Sequence, residues 1–245
     1  MSDFTVIWRE WIFFKRRFFK ITSAQIVTPI LYLITFGWGL NTSTNIDGNS
    51  YMYYILPGIA ALTTMRSSYS GVSMRISVAR LHEKSFENYF LAPISVRRLA
   101  IEYIISGALR GIYACFLMVI IMFIAGAHIE KPIVFILATI LNATLFSAIG
   151  FFAAMIIDTH YDMNRFTSFV ITPMSFLCGT FFSVSKLPIF FRWFIELLPL
   201  THATRLMRSA TFGRNIDWFS FIVLITYIII ITIFSIRICY EESRI

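Results

Sequence analysis

The run Pro132–Ile157, PIVFILATILNATLFSAIGFFAAMII, contains no charged residue. At about 1.5 Å per residue, a helix of that length outreaches the roughly 30 Å hydrocarbon core of a bilayer. Five further runs have a similar character: Ile21–Leu40, Tyr51–Val72 with Arg66 inside it, Ala100–Gly126 with Glu102 and Arg110, Phe166–Phe182 and Trp218–Ile236. Composition agrees, with 58% apolar and 14% charged residues and a mean hydropathy of +0.74, whereas a soluble domain is about 25% charged. The chain is expected to be an all-α integral membrane protein. One domain, residues 1–245, would hold six transmembrane helices at 21–40, 51–74, 100–126, 132–157, 165–183 and 217–238. A five- or seven-span count would place one terminus on the other side.

The opening residues MSDFTVIWREWIFFKRRFFK lack the uninterrupted apolar core of a cleavable signal. On a helical wheel Phe4, Ile7, Trp8, Trp11, Ile12, Phe14, Phe18 and Phe19 share one side and Arg9, Glu10, Arg16, Arg17 and Lys20 the other, with Phe13 and Lys15 as exceptions. That pattern predicts an interfacial helix over 1–20. Basic residues at span ends set orientation: with both termini cytoplasmic, inside segments carry thirteen Lys and Arg and outside segments six. The +8 net charge is thereby read as membrane orientation, and no nucleic-acid partner is expected. Cys115, Cys178 and Cys239 lie in apolar runs without metal-ligand spacing and read as buried thiols.

Two segments between spans do not read as simple loops. Over 184–214, the pieces Leu187–Leu198 and Leu200–Met207 flank Pro199 and are too short to cross. They are expected to form a re-entrant or interfacial helical hairpin. On the opposite side, HEKSFENYFLAPISVRRL predicts a short helix within 82–93. Phe86, Tyr89 and Phe90 lie on one face beside Glu83 and Glu87, and Pro93 stops the helix. It is either an amphipathic connector resting on lipid or a knob that docks a cytoplasmic partner.

The order of these features resembles the permease subunits of the ABC-2 exporter family. The local carriers are YMYYILPGI, FENYFLAPISVRRL, GALRG, VITPMSFLCGTFFSVSKLP and LLPLTHATRLMR. Two departures stand out, Leu198 where the family commonly has Asn and Tyr89–Phe90 where it usually has a Leu pair. The resemblance implies a type V exporter fold, pairing with a second copy of itself, and two copies of an ABC ATPase subunit. That ATPase would seat on a coupling helix containing Glu83, Phe86, Glu87, Tyr89, Phe90, Leu91 and Pro93. It also implies an extracellular gate shaped by Trp193, Phe194, Pro199, His202 and Arg205, for which an interfacial anchor is the plainer reading. The implied place is the bacterial inner membrane.

No phosphate-cradling GxxxxGK[ST] loop occurs, and Gly-Lys is absent from the chain. ATP and Mg are therefore expected on the partner, no cofactor on this chain, and no enzymatic activity from it alone. A membrane enzyme would cluster His, Asp or Glu, yet His82, His128, His160 and His202 are expected to be scattered over loops. Asp158 and Asp162 beside His160 read as a solvated turn rather than a metal site. An ion-coupled secondary transporter is the nearer alternative, and Glu102 is the sole acid within the six apolar runs. Arg66 and Arg110, at matched depth in antiparallel spans, are candidates for attracting an anionic substrate such as a lipid-linked or glycan molecule, or a drug. The plainer reading has them snorkel or pair with Glu102. Gly107–Gly111 and Ser67–Gly71 permit close packing, internal or between copies.

Overall fold

The computed structural model describes residues 5–38, 45–46, 49–83, 86, 95–182 and 188–242. Their helices are α1 (Thr5–Arg16), α2 (Phe18–Tyr32), α3 (Tyr51–Ser77), α4 (Val96–Ile124), α5 (Pro132–Ile156), α6 (His160–Phe166), α7 (Thr172–Leu177), α8 (Ile189–Glu196), α9 (Pro199–Thr211) and α10 (Trp218–Glu242). Asn45–Ile46 and Asn49–Ser50 form a small antiparallel pairing. Turns of π-helix, Leu33–Trp38 and Val78–His82, extend α2 and α3, and a third, Thr167–Ile171, joins α6 to α7.

Four of the described helices are long and apolar enough to cross a membrane: Phe18–Thr35, Val96–Ile124, Pro132–Ile156 and Trp218–Glu241. Helix α3 has the length, at 27 residues, but carries Thr63, Thr64, Arg66, Ser67, Ser68, Ser70 and Ser73. It tolerates them because it is the enclosed axis of the bundle. Ile55, Leu56, Ile59 and Leu62 are fully buried, and α4 and α5 pack along its length. The region expected as one span over 165–183 is built of α6, a π-turn and α7. Pro173 lies in the first turn of α7 and has no N–H to donate, so the helical ladder widens on its N-terminal side.

Helix α4 approaches α3 through its glycines. A Cβ at Gly107 would meet the Ser68 carbonyl at 3.1 Å and one at Gly111 the Thr64 carbonyl at 2.9 Å. The small residues therefore serve an internal helix contact. Polar groups fasten the third member of this core: Asn142 Nδ2 donates to the Ala61 carbonyl at 2.9 Å and Ser147 Oγ to the Ile104 carbonyl at 2.6 Å. Away from water, such bonds are the available way to satisfy a buried polar group.

Candidate functional site

One end of the bundle carries α1 and a basic cavity. Helix α1 turns its polar edge toward protein: Glu10 pairs with Arg75 at 3.1 Å and Arg9 at 3.3 Å, and Arg9 donates to the Tyr103 hydroxyl at 2.9 Å. Glu102 receives the Val6 N–H at 3.0 Å and Arg98 Nε at 3.0 Å. A carboxylate at the first turn of α1 meets the positive end of that helix, which explains an acid within an apolar run and removes it as a partner for Arg66 or Arg110. Trp8 and Trp11 face outward, 65% and 59% exposed, as the amphipathic pattern requires.

Phe13, the aromatic on the wrong side of the wheel, has a reason to be there. The guanidinium carbons of Arg75, Arg17 and Arg110 lie 4.7, 4.9 and 5.9 Å from its ring centroid. Its π-face draws three like charges to one place. Beside it opens a cavity of about 770 Å³, walled by α2, α3 and α4, whose lining among the described residues includes Arg17, Lys20, Arg66, Arg75 and Arg110 against one acid, Glu83. That volume suits a small-molecule site or the head of a larger ligand. Gln25 donates to Ser67 at 2.8 Å and Ser67 to the Arg110 carbonyl at 3.1 Å, which ties the wall together.

The structure thus brings Arg66 and Arg110 to one cavity, as their matched depth suggested. Their bonds are weak: Arg66 reaches Ser175 Oγ at 3.5 Å and Arg110 the Gly71 carbonyl at 3.5 Å. Among the described residues neither forms an ion pair. Two guanidinium groups at this depth without a carboxylate partner among the described residues leave positive charge facing the cavity, where low dielectric magnifies its attraction for an anion.

Of the expected coupling residues, Glu83 ends the π-turn after α3, its N–H bonded to the Val78 carbonyl at 3.0 Å. Phe86 does not join an outward knob. It is 2% exposed, with its ring 6.2 Å from that of Tyr103, because the backbone folds back to bond Phe86 N–H to the Ala79 carbonyl at 3.2 Å. It anchors the segment. Glu87, Tyr89, Phe90, Leu91 and Pro93 lie outside the described residues. His82 and His160, distant in sequence, stack with centroids 4.5 Å apart. Chain order concealed this pair, whose only sequence signal is that each lies at a helix end on the same predicted side.

The opposite end carries the hairpin, and its five candidate residues divide between two environments. Helix α8 is apolar nearly all round and turned outward: Trp193 is 73% and Phe194 52% exposed, while Ile195 is buried. Those aromatics suit an interfacial anchor. Pro199 begins α9, where its missing N–H costs nothing, and α9 is buried against α3, α5 and α10. His202 is 1% exposed and sits in this helix rather than in a loop. Its Nε2–H donates to the Glu196 carbonyl at 2.9 Å, and Nδ1 meets Ser220 Oγ at 3.0 Å. Ser220 also reaches Asp217 at 2.8 Å. Arg205 bridges Asp217 at 3.1 Å and Glu196. The cluster clamps α8, α9 and α10. Burial lowers the His202 pKa from its ordinary value, aided by the neighbouring Arg205. Burial works against ionising Asp217, but the bonds from Ser220 and Arg205 outweigh it and hold the carboxyl below its usual range.

Comparison with known proteins agrees with this architecture. The profile of the ABC-2 type transporter family matches residues 3–212. The chain is 27% identical over 215 residues to the inner membrane transport permease YadH of Escherichia coli (strain K12), covering 85% of this chain and 82% of the relative. It is 24% identical over 219 residues to nodulation protein J of Bradyrhizobium diazoefficiens, covering 88% and 83%. Nodulation protein J of Sinorhizobium fredii is 23% identical over 216 residues, covering 86% and 82%.

Proposed function

Since the chain belongs to the ABC-2 type transporter family, and is thus the membrane subunit of an ABC transporter of a bacterial inner membrane, we propose that it forms the pathway of an ATP-driven exporter. Members of the family are transmembrane rather than catalytic subunits and normally work with an ABC ATPase subunit. In this reading two copies of the chain pair in the membrane, with six spans each and both termini in the cytoplasm. Two ATPase subunits seat on the segment 82–93 and supply ATP and Mg. Family membership displaces the ion-coupled alternative, and Glu102 is committed to Arg98 and the Val6 N–H.

One observation carries the substrate side of the proposal: Arg66 and Arg110 face a shared cavity without an ion pair among the described residues. A charge held inside a span costs roughly 2.5–3.5 kcal/mol on insertion scales. A passing anion would offset that cost, and an anionic group on a lipid-linked, glycan or drug-like substrate fits the cavity's charge. The aromatic, clamped hairpin at the far end is the exit gate in this reading. The double variant R66Q/R110Q should abolish export of an anionic substrate while leaving assembly with the ATPase intact. Unchanged export would remove the substrate role from both residues.

A further inference from the structure

Two residues break the amphipathic pattern of α1. The arginines around Phe13 account for it, and Lys15 is left. On the helical wheel Lys15 falls between Trp8 and Trp11, the two tryptophans that face outward. It is exposed, as are Arg16 and Lys20, and among the described residues none of the three forms an ion pair. The first apolar stretch long enough to cross the membrane begins at Phe18, which sets this basic cluster at the level of the lipid headgroups.

Beside Trp11 runs a groove between α1 and α4. Ile7, Trp11 and Phe14 form one wall and Ser106, Leu109 and Tyr113 the other, around about 120 Å³, close to the size of an apolar cavity that holds benzene. The polar groups along it are already satisfied within the protein. Ser106 Oγ donates to the Tyr103 carbonyl at 2.8 Å and the Tyr113 hydroxyl shares a bond with Thr22 at 2.7 Å. Glu10 is paired with Arg75 and Arg9, and the Arg110 guanidinium is drawn toward Phe13. What the groove offers an occupant is therefore hydrocarbon contact. Phe14 stands edge-on to Tyr113 with centroids 4.9 Å apart, and Leu109 is 52% exposed on a helix that is itself apolar and long enough to cross the membrane.

We propose that the groove between α1 and α4 binds an anionic phospholipid, with an acyl chain between Trp11, Phe14 and Leu109 and its phosphate on Lys15 and Arg16. Charge complementarity selects the occupant: a zwitterionic lipid fills the groove equally well but gains little from exposed cations at its mouth, whereas each adds to the attraction for an anionic headgroup. A lysine that merely snorkels needs no groove beside it, and a groove for bulk hydrocarbon needs no lysine on the tryptophan side. The lipid joins α1 to α4 beyond the bonds that the chain makes itself, Arg9 to Tyr103 and the Val6 N–H to Glu102. Phe13 and Arg110 line both this groove and the cation-lined cavity, so a lipid that holds α1 in place also holds one wall of that cavity.

The test is native mass spectrometry of the full chain, delipidated in detergent and titrated with phosphatidylglycerol or phosphatidylcholine. Retention of one phosphatidylglycerol per chain, in preference to phosphatidylcholine, is expected. The double variant K15Q/R16Q alters only exposed side chains and should weaken phosphatidylglycerol binding about twentyfold with phosphatidylcholine binding unchanged. Leu109→Trp, which fills the groove, should lose both lipids, and Leu109→Ala, which leaves it open, should keep the preference. Equal retention of the two lipids by the unaltered chain, or a K15Q/R16Q variant that binds phosphatidylglycerol as the unaltered chain does, overturns the headgroup contact. A folded Leu109→Trp variant with undiminished binding overturns the groove as the site; if that variant does not fold, the charge variant decides alone.

Discussion

At the scale of single residues, close approach decides what can be changed. Position 111 has the Thr64 carbonyl 2.9 Å from where a Cβ would stand, and backbone cannot swing aside as a side chain can. Gly111→Leu is expected to destabilise the bundle by about 1–3 kcal/mol through overpacking, read as a lowered midpoint of thermal unfolding in detergent. An exposed α4 position such as Leu109 should accept Ala with little change. The sequence shows the spacing Gly107-x-x-x-Gly111 but not the neighbour, because periodicity reports a face and says nothing of what covers it. Glu102 and Phe13 illustrate the same limit. Both are visible in the sequence as misplaced residues, yet their reasons, the Val6 N–H and a ring of arginines, come from other parts of the chain.

At the scale of elements, the clamp joining α8, α9 and α10 has a defined dependence on pH. His202 in the closed clamp binds a proton less readily than a free imidazole, mainly because it is buried. Its contribution to closure is therefore complete above the ordinary value of about 6.5 and is lost as pH falls below it, since the opened state takes up the proton first. Asp217, held below the carboxylate range, stays ionised throughout that window. Spin labels at Phe194 and Phe219 should report a broader, longer distance distribution at pH 5.5 than at pH 7.5. His202→Gln, which keeps a donor and an acceptor without titrating, should flatten that dependence; an unaltered pH response in it would refute the role of His202. The hairpin was legible in advance because Pro199 divides two apolar pieces too short to span. Which piece lies outward was not, since each carries an arginine, Arg192 and Arg205, and composition does not show that Glu196, His202 and Arg205 find partners within the protein. The break around Pro173 was also present in the sequence, but run length alone cannot distinguish one helix from two joined by a π-turn.

At the scale of the molecule, the two ends have different chemistry, and α3 runs between them. At one end it closes the cation-lined cavity through Arg66 and Arg75. At the other, Tyr54 lies under the guanidinium of Arg208, 3.8 Å from its ring centroid, and Tyr51 bonds to the Phe181 carbonyl at 3.0 Å. A push on the segment that follows α3 thus meets both the cavity and the hairpin through one continuous helix. The double variant E87R/F90A is expected to abolish co-purification with the ATPase while leaving the permease folded by its detergent melting profile; retained co-purification would place the docking surface elsewhere.

The burial of α9 also fixes an order of events during synthesis. Its polar groups find partners on both sides in sequence: His202 and Arg205 bond to Glu196, already made, and to Ser220 and Asp217, not yet made. When α9 leaves the ribosome the later partners of His202 and Arg205 do not exist, and hydrocarbon offers no substitute for them. The hairpin can settle only after α10 has been inserted. A chain halted before Trp218 would present an unfinished, polar helix to the bilayer, which is the kind of surface that membrane proteases and chaperones recognise.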